Sequence, residues 1–199
     1  MRASEGMSCP ESTTRSLRLI RPSQWITQPW RNGGGITHEI HRDGPADAFR
    51  VRLSVAEVKS PGPFSRFAGV DRWITLLEGH GFTLHRDERS ITIDTPFVPF
   101  SFSGDELIEC SLVNGPVRDL NVMIDRSQAR AAVRSIVVEA EARLTPPAHA
   151  HELYVFVFEG TLAIDGIALE HHVLAVGPAE AHTITGRGRA LVVWVSAKT

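Results

Sequence analysis

Two short stretches gather side chains able to hold a small anion. In PWRNGGGITHEI (29–40), Asn32 precedes Gly33, Gly34 and Gly35, and Thr37 and Glu39 follow two residues apart. In an extended strand that spacing puts Thr37 and Glu39 on one face and His38 and Ile40 on the other. If the first face is interior, its hydroxyl and carboxylate need polar partners. In SPGPFSRFAGVDRW (60–73), Ser65 and Phe67 lie just before Arg72, which opens an apolar strand. A guanidinium at such a mouth holds a carboxylate through two parallel hydrogen bonds. Arginines are also common solvated surface residues or partners of structural carboxylates, and Arg66 suits the first description.

The glycine run has two physical explanations. Each ordered glycine costs roughly 0.5–1 kcal/mol relative to alanine, so a tight turn, a bulge or a close backbone approach must require it. No Gly-Lys-Ser/Thr and no helical pattern comes after it, which excludes a phosphate-binding P-loop. Polar neighbours favour approach to a ligand, and the three glycines are therefore candidate contacts.

HAHE (149–152) carries a different chemistry. In a strand His149 and His151 point to one side and could share a divalent metal, with His182 as a third imidazole. Glu152 comes immediately after and alternation sends it to the opposite face. Paired histidines after Pro146-Pro147 are otherwise solvated loop residues. Nucleophilic catalysis has no support: there is no Gly-x-Ser-x-Gly elbow, and neither Cys9 nor Cys110 has an activating setting.

Composition narrows the classes further. The 199 residues are 42% hydrophobic and 22% charged, with a net charge of −2, which is ordinary for a globular protein. Lys and Arg are scattered, so nucleic acid is not an expected partner. The wholly apolar runs LYVFVF (153–158) and ALVVWV (190–195) are too short to span a bilayer. MRASEGMSCPESTTR has no continuous apolar segment; residues 1–16 read as a disordered leader of a cytoplasmic protein.

The elements that must position these groups are strands. FRVRLSVAEV (49–58) alternates cleanly, and LRLI, ITHEI, WITLLEG, FTLHR, SITID, ELIECSLV, DLNVMID, SIVVEA, LYVFVFE, TLAID, HVLAV, HTITG and ALVVWVS read likewise. Only DRSQARAAVR (125–134) favours helix, and its place suggests a linker. It separates LLEGHGFTL (76–84) from VFEGTLAID (157–165), each a strand, a Glu-Gly and another strand. The reading is an all-β chain of two β-barrels or sandwiches made by duplication. The first spans 17–126 and the second 135–199, joined at 127–134, with strands free to cross between them. Barrel edges commonly pair, so a homodimer is one assembly they would support.

PWRNGGGITHEI (29–40), SPGPFSRFAGVDRWITLLEGHG (60–81) and FSGDELIECSLVNGPVRDLNVMIDR (102–126) together resemble the HutD/Ves family. The likeness is strong over residues 17–126 and architectural beyond. It implies a bicupin of two small jelly-roll barrels, linked to histidine utilisation or stress response in bacteria. It also implies a small carboxylate ligand, such as formylglutamate or a related histidine-degradation intermediate, and a regulatory or accessory role rather than catalysis. The expected contacts are Asn32, Gly33, Gly34, Gly35, Thr37, Glu39, Ser65, Phe67, Arg72 and Asn121, with no cofactor. The alternative is a metal-dependent cupin enzyme using His149, His151 and His182. Its HAHE segment lacks the three or four residues that the cupin metal motif leaves before its glutamate.

Overall fold

Alternating sequence becomes paired strand almost everywhere it occurs. The computed structural model describes residues 17–87 and 89–198, so the expected leader, 1–16, with Cys9, lies outside the described residues. The first strands are β1 (Arg18–Ile20), β2 (Ile26–Pro29), β3 (Gly35–Asp43), β4 (Val51–Val58), β5 (Gly62–Pro63) and β6 (Val70–Glu78). Next come β7 (Phe82–Arg86), β8 (Arg89–Ile93), β9 (Phe100–Ser103), β10 (Glu109–Leu112) and β11 (Val117–Asp125). The last are β12 (Ala129–Val138), β13 (Glu141–Leu144), β14 (Ala150–Ile164), β15 (Ile167–Leu169), β16 (Leu174–Pro178) and β17 (His182–Ala197). Among the described residues no helix is long and apolar enough to cross a membrane.

Three sheets result: a six-stranded one ordered β2-β3-β4-β11-β6-β9, a four-stranded one ordered β5-β10-β7-β8, and a seven-stranded one built on β1-β16-β14-β17-β12. Two small closed barrels were the expectation. Instead, among the described residues, each sheet is open, and the sheets pack face to face as sandwiches.

Period-two patterning decides which face goes where. On β4 and β11, Leu53, Val55, Leu120 and Val122 pack against Phe156, Phe158, Leu191 and Val193 of the seven-stranded sheet. Each side chain buried this way contributes about 1.5–3 kcal/mol. The opposite face of the six-stranded sheet meets Phe82, Leu84 and Cys110 of the four-stranded sheet at one end. At the other end the same face turns polar, and the candidate site lies there. β14 and β17 are buried on both faces, since Leu153, Val155, Val192 and Trp194 fill a further core. That double burial is why LYVFVF and ALVVWV are continuous apolar runs rather than alternating ones.

Three expectations on elements are corrected. DRSQARAAVR is neither helix nor linker: Asp125–Gln128 is a turn, and Ala129–Val138 pairs with β17 along its whole length. Ala131 and Val133 pack on the shared core while Arg130 and Arg134 point out, so tertiary pairing overrides the helix propensity of Ala and Arg. LYVFVFE and TLAID are one strand, β14, with a register shift between Val157 and Glu159. Gly160 there has a φ of 90°, and a Cβ would stand 2.2 Å from the Arg187 carbonyl oxygen. HTITG and ALVVWVS likewise merge into β17. β1 pairs antiparallel with β16.

Candidate functional site

Four neighbouring strands carry the polar patch. β3 presents Thr37, β4 presents Arg52 and Ser54, β11 presents Asp119, Asn121 and Met123, and β6 presents Arg72. The Asp119, Asn121 and Met123 positions alternate with Leu120, Val122 and Ile124, which are fully buried against the other half. The loop Trp30–Asn32 and the segment Pro63–Ser65 with Phe67 close the walls around a cavity of about 600 Å³.

Arg72 is the centre of this arrangement. The residue is 7% exposed, and the ring centroids of Phe102, Phe67 and Phe64 lie 4.8, 5.4 and 5.7 Å from its guanidinium carbon. Nη1 donates to the Ser65 carbonyl at 3.2 Å and Nη2 to Asn121 Oδ1 at 3.0 Å, while the buried Nε has no partner. Asn121 in turn donates to Asp119 Oδ1 at 2.5 Å. Burial pulls the Arg72 pKa down to about 10, against the pull of Asp119. Burial pushes the Asp119 carboxyl up to about 7, partly offset by Arg72 and the Asn121 bond. Arg52 is matched differently, with Nε 2.8 Å from Glu39 Oε2.

The structure brings Asn32, Thr37, Ser65, Phe67, Arg72 and Asn121 to one cavity wall. Glu39 and the glycines are not on it. Glu39 is spent on Arg52 and on Arg42, 3.2 Å away. The glycines serve the hairpin loop between β2 and β3. Gly33 has a φ of 71° and Gly34 donates to Asn32 Oδ1 at 3.0 Å. At Gly35 a Cβ would come within 2.5 Å of the Glu57 carbonyl oxygen and 3.0 Å of the Trp30 ring. The close approach at Gly35 is to the neighbouring strand β4. That loop lets Trp30 Nε1 donate to Thr37 Oγ1 at 2.8 Å.

Sequence reasoning missed Asp119, Arg52, Ser54, Trp30, Phe64 and Met123. A signal existed for three of them: Arg52, Ser54 and Asp119 are polar positions in period-two register within strands whose opposite face is mostly apolar.

The three histidines do not assemble. His182 Nδ1 is 2.5 Å from Asp165 Oδ2 and its Nε2 is 3.2 Å from the Pro178 carbonyl oxygen. His149 sits exposed in a turn with φ of 66°, and His151 Nδ1 accepts from the Ala197 amide at 3.3 Å. Among the described residues no group of three or more His, Cys, Asp or Glu is placed to hold a metal. A second cleft of about 530 Å³ opens at the seam of the two halves, beside Arg18, His41, Arg50 and Glu152.

The HutD family model matches residues 23–192. The chain belongs to the HutD family. It is 40% identical over 120 residues to an uncharacterised 21.2 kDa protein in the hutC 3′ region of Pseudomonas putida, covering 59% of this chain and 63% of that one. It is also 40% identical over 107 residues to protein Ves of Citrobacter koseri, covering 53% and 56%. The chain thus spans less than two thirds of the length of these curated relatives. HutD from Pseudomonas fluorescens SBW25, in a formate condition, superposes with a TM-score of 0.83 at 29% identity, covering 92% of this chain and all of that one. At 7% identity the cupin-like E. coli protein Ylba still reaches a TM-score of 0.67, a likeness of fold alone.

Proposed function

We propose that this HutD-family protein binds a small carboxylate in the cavity beside Arg72 and acts as an accessory or regulatory component of histidine utilisation in the cytoplasm. Its paired sandwiches are read as two cupin units, of which the first holds the ligand. The carrying observation is the Arg72 guanidinium, buried, short of a partner at Nε and unpaired with any carboxylate among the described residues. Burying a cation without a direct ion pair is costly; Asp119 stands one side chain away behind Asn121, and a bound carboxylate supplies the direct partner. The volume suits a small metabolite. The hutC-region name of one relative agrees with the link to histidine utilisation.

The test is calorimetry with N-formylglutamate and formate, with formamide as the uncharged counterpart. Both acids bind and formamide does not. Arg72→Gln costs about 2–5 kcal/mol of binding, because the ligand charge is left without its partner. Equal affinity in Arg72→Gln and the wild type removes Arg72 from the site.

A further inference from the structure

Asp119 has no role in carboxylate binding as proposed, yet its side chain is on the cavity wall and only 1% exposed. A role for it rests on that proposal, in that an anion occupies the cavity beside Arg72. Asp119 Oδ1 accepts from Asn121, and among the described residues Asp119 makes no ion pair. The charged and titratable groups that face it come from four strands. Arg72 of β6 reaches it through the Asn121 side chain. Arg52 of β4 is matched by Glu39 of β3. Cys110 of β10 has its thiol pushed up to about 12, by burial first and then by Asp119 itself, so it is neutral.

Arg52 is paired with Glu39, which Arg42 shares, Cys110 carries no charge and Arg31 is exposed at the mouth, which leaves the buried Arg72 set against Asp119. With Asp119 ionised its charge offsets that of Arg72, and an incoming carboxylate meets a buried carboxylate, a like-charge pair that a desolvated site does not tolerate. With Asp119 protonated the buried Arg72 charge is left for a monoanionic carboxylate headgroup. The carboxyl O–H is then also a donor on the cavity wall.

We propose that Asp119 is a specificity-determining residue of this cavity, binding the anion as a neutral carboxyl group whose O–H donates to a ligand oxygen. The proton comes from solvent as the ligand enters and returns there as it leaves. The cavity therefore selects an oxyanion with an additional acceptor oxygen. It disfavours a free amino acid, whose ammonium would need Asp119 ionised.

The experiment is calorimetry of the full chain with N-formylglutamate and with glutamate, in buffers of different ionisation enthalpy, at about pH 6 and about pH 8. The free carboxyl lies at about 7, so it is largely protonated at the lower pH and largely ionised at the higher. N-formylglutamate binding takes up close to one proton at the higher pH and almost none at the lower. Affinity falls about tenfold per pH unit above neutrality. Asp119→Asn loses both the uptake and the pH dependence.

Binding with no proton uptake and flat affinity overturns the inference while leaving the carboxylate reading intact. Glutamate binding more tightly than N-formylglutamate overturns it as well. If neither compound binds, the carboxylate reading falls for this ligand class, and with it this inference. The carbon-13 titration of the Asp119 carboxyl is an independent check: a carboxyl that stays ionised in the saturated complex at about pH 6 overturns the inference.

Discussion

Arg72 donates from Nη2 to the side-chain oxygen of Asn121 at 3.0 Å, and this bond spans β6 and β11, which pair side by side. Asn121 is itself fixed, because its amide nitrogen is held by Asp119. The guanidinium is thus oriented by an uncharged group, and its charge stays available to a ligand. A site optimised for stability alone would have put a carboxylate there.

That arrangement sets stability against binding. Arg72→Met should raise the melting temperature, or at worst leave it unchanged, since a thioether of similar reach fills the ring-lined pocket without desolvating a charge. The expected gain is about 1 kcal/mol, reduced by the acceptors left without donors at Asn121 and Ser65. Carboxylate binding should be lost in the same variant. A clear drop in melting temperature would show that the rings and Asn121 already compensate the buried charge.

The glycine run should resolve into three different costs. Gly35→Ala drives a Cβ against the Glu57 carbonyl oxygen at 2.5 Å, on paired backbone that cannot retreat, so it should cost about 2 kcal/mol or more. Gly33 has open space but positive φ, so its alanine variant should cost about 1 kcal/mol. Gly34→Ala meets the Ser60 hydroxyl at 2.9 Å, a side chain able to rotate away, and should be mildest. Urea denaturation of the three variants checks the order, and Gly34 as the most damaging would contradict it.

Legibility in the sequence tracked how local the cause was. Alternation in FRVRLSVAEV and DLNVMID displays which side chains share a face, so the strands could be read directly, whereas Asn121 entered only through the family resemblance. What β12 does could not be read, because Ala129–Val138 is a strand only through pairing with residues 188–197, far along the chain. Glu39 is absent from the cavity lining for a related reason. Its strand face was right, but Arg52, which neutralises it, comes from the next strand. Asp119 was legible as a polar position in an apolar strand, and only its burial shows that it differs from an ordinary surface carboxylate.

The seam between the halves has its own polar fastening. Arg50 donates to Asp43 from Nε at 2.6 Å and to both Glu152 oxygens from Nη2 at 2.6 and 2.7 Å, and Tyr154 donates to Glu152 at 2.7 Å. The groups are only partly exposed, at 22% for Arg50 and 29% for Glu152. A double-mutant cycle on Arg50→Ala and Glu152→Ala should give a coupling of about 1–2 kcal/mol, above that of an open surface pair. Additive effects would make the seam depend on apolar packing alone.

Metal removal should leave the fold untouched. His182 is engaged by Asp165 and the Pro178 carbonyl, and the cores on both sides of the seven-stranded sheet are apolar. Dialysis against a chelator should shift the melting temperature by less than about 1 °C, where loss of a structural metal would abolish the cooperative transition.

Asp119 should also give the free chain a distinct dependence of stability on pH. Its folded value of about 7 lies above the unfolded carboxylate value of about 4. The folded state therefore holds the proton more tightly, and stability falls as pH rises between those two values. The contribution is fully present below about pH 4 and is lost as pH rises through about 7. In Asp119→Asn that loss is absent. Between about pH 5 and pH 8.5 the stability of the Asn variant relative to wild type should grow by about 2–3 kcal/mol, since about two of the three pKa units of difference are traversed. Urea denaturation of both proteins at the two pH values measures it, with the other carboxylates cancelling in the comparison. A difference that stays constant across this range would mean that Asp119 ionises at its ordinary value despite its burial, and that Arg72 stabilises its charge more strongly than the geometry implies.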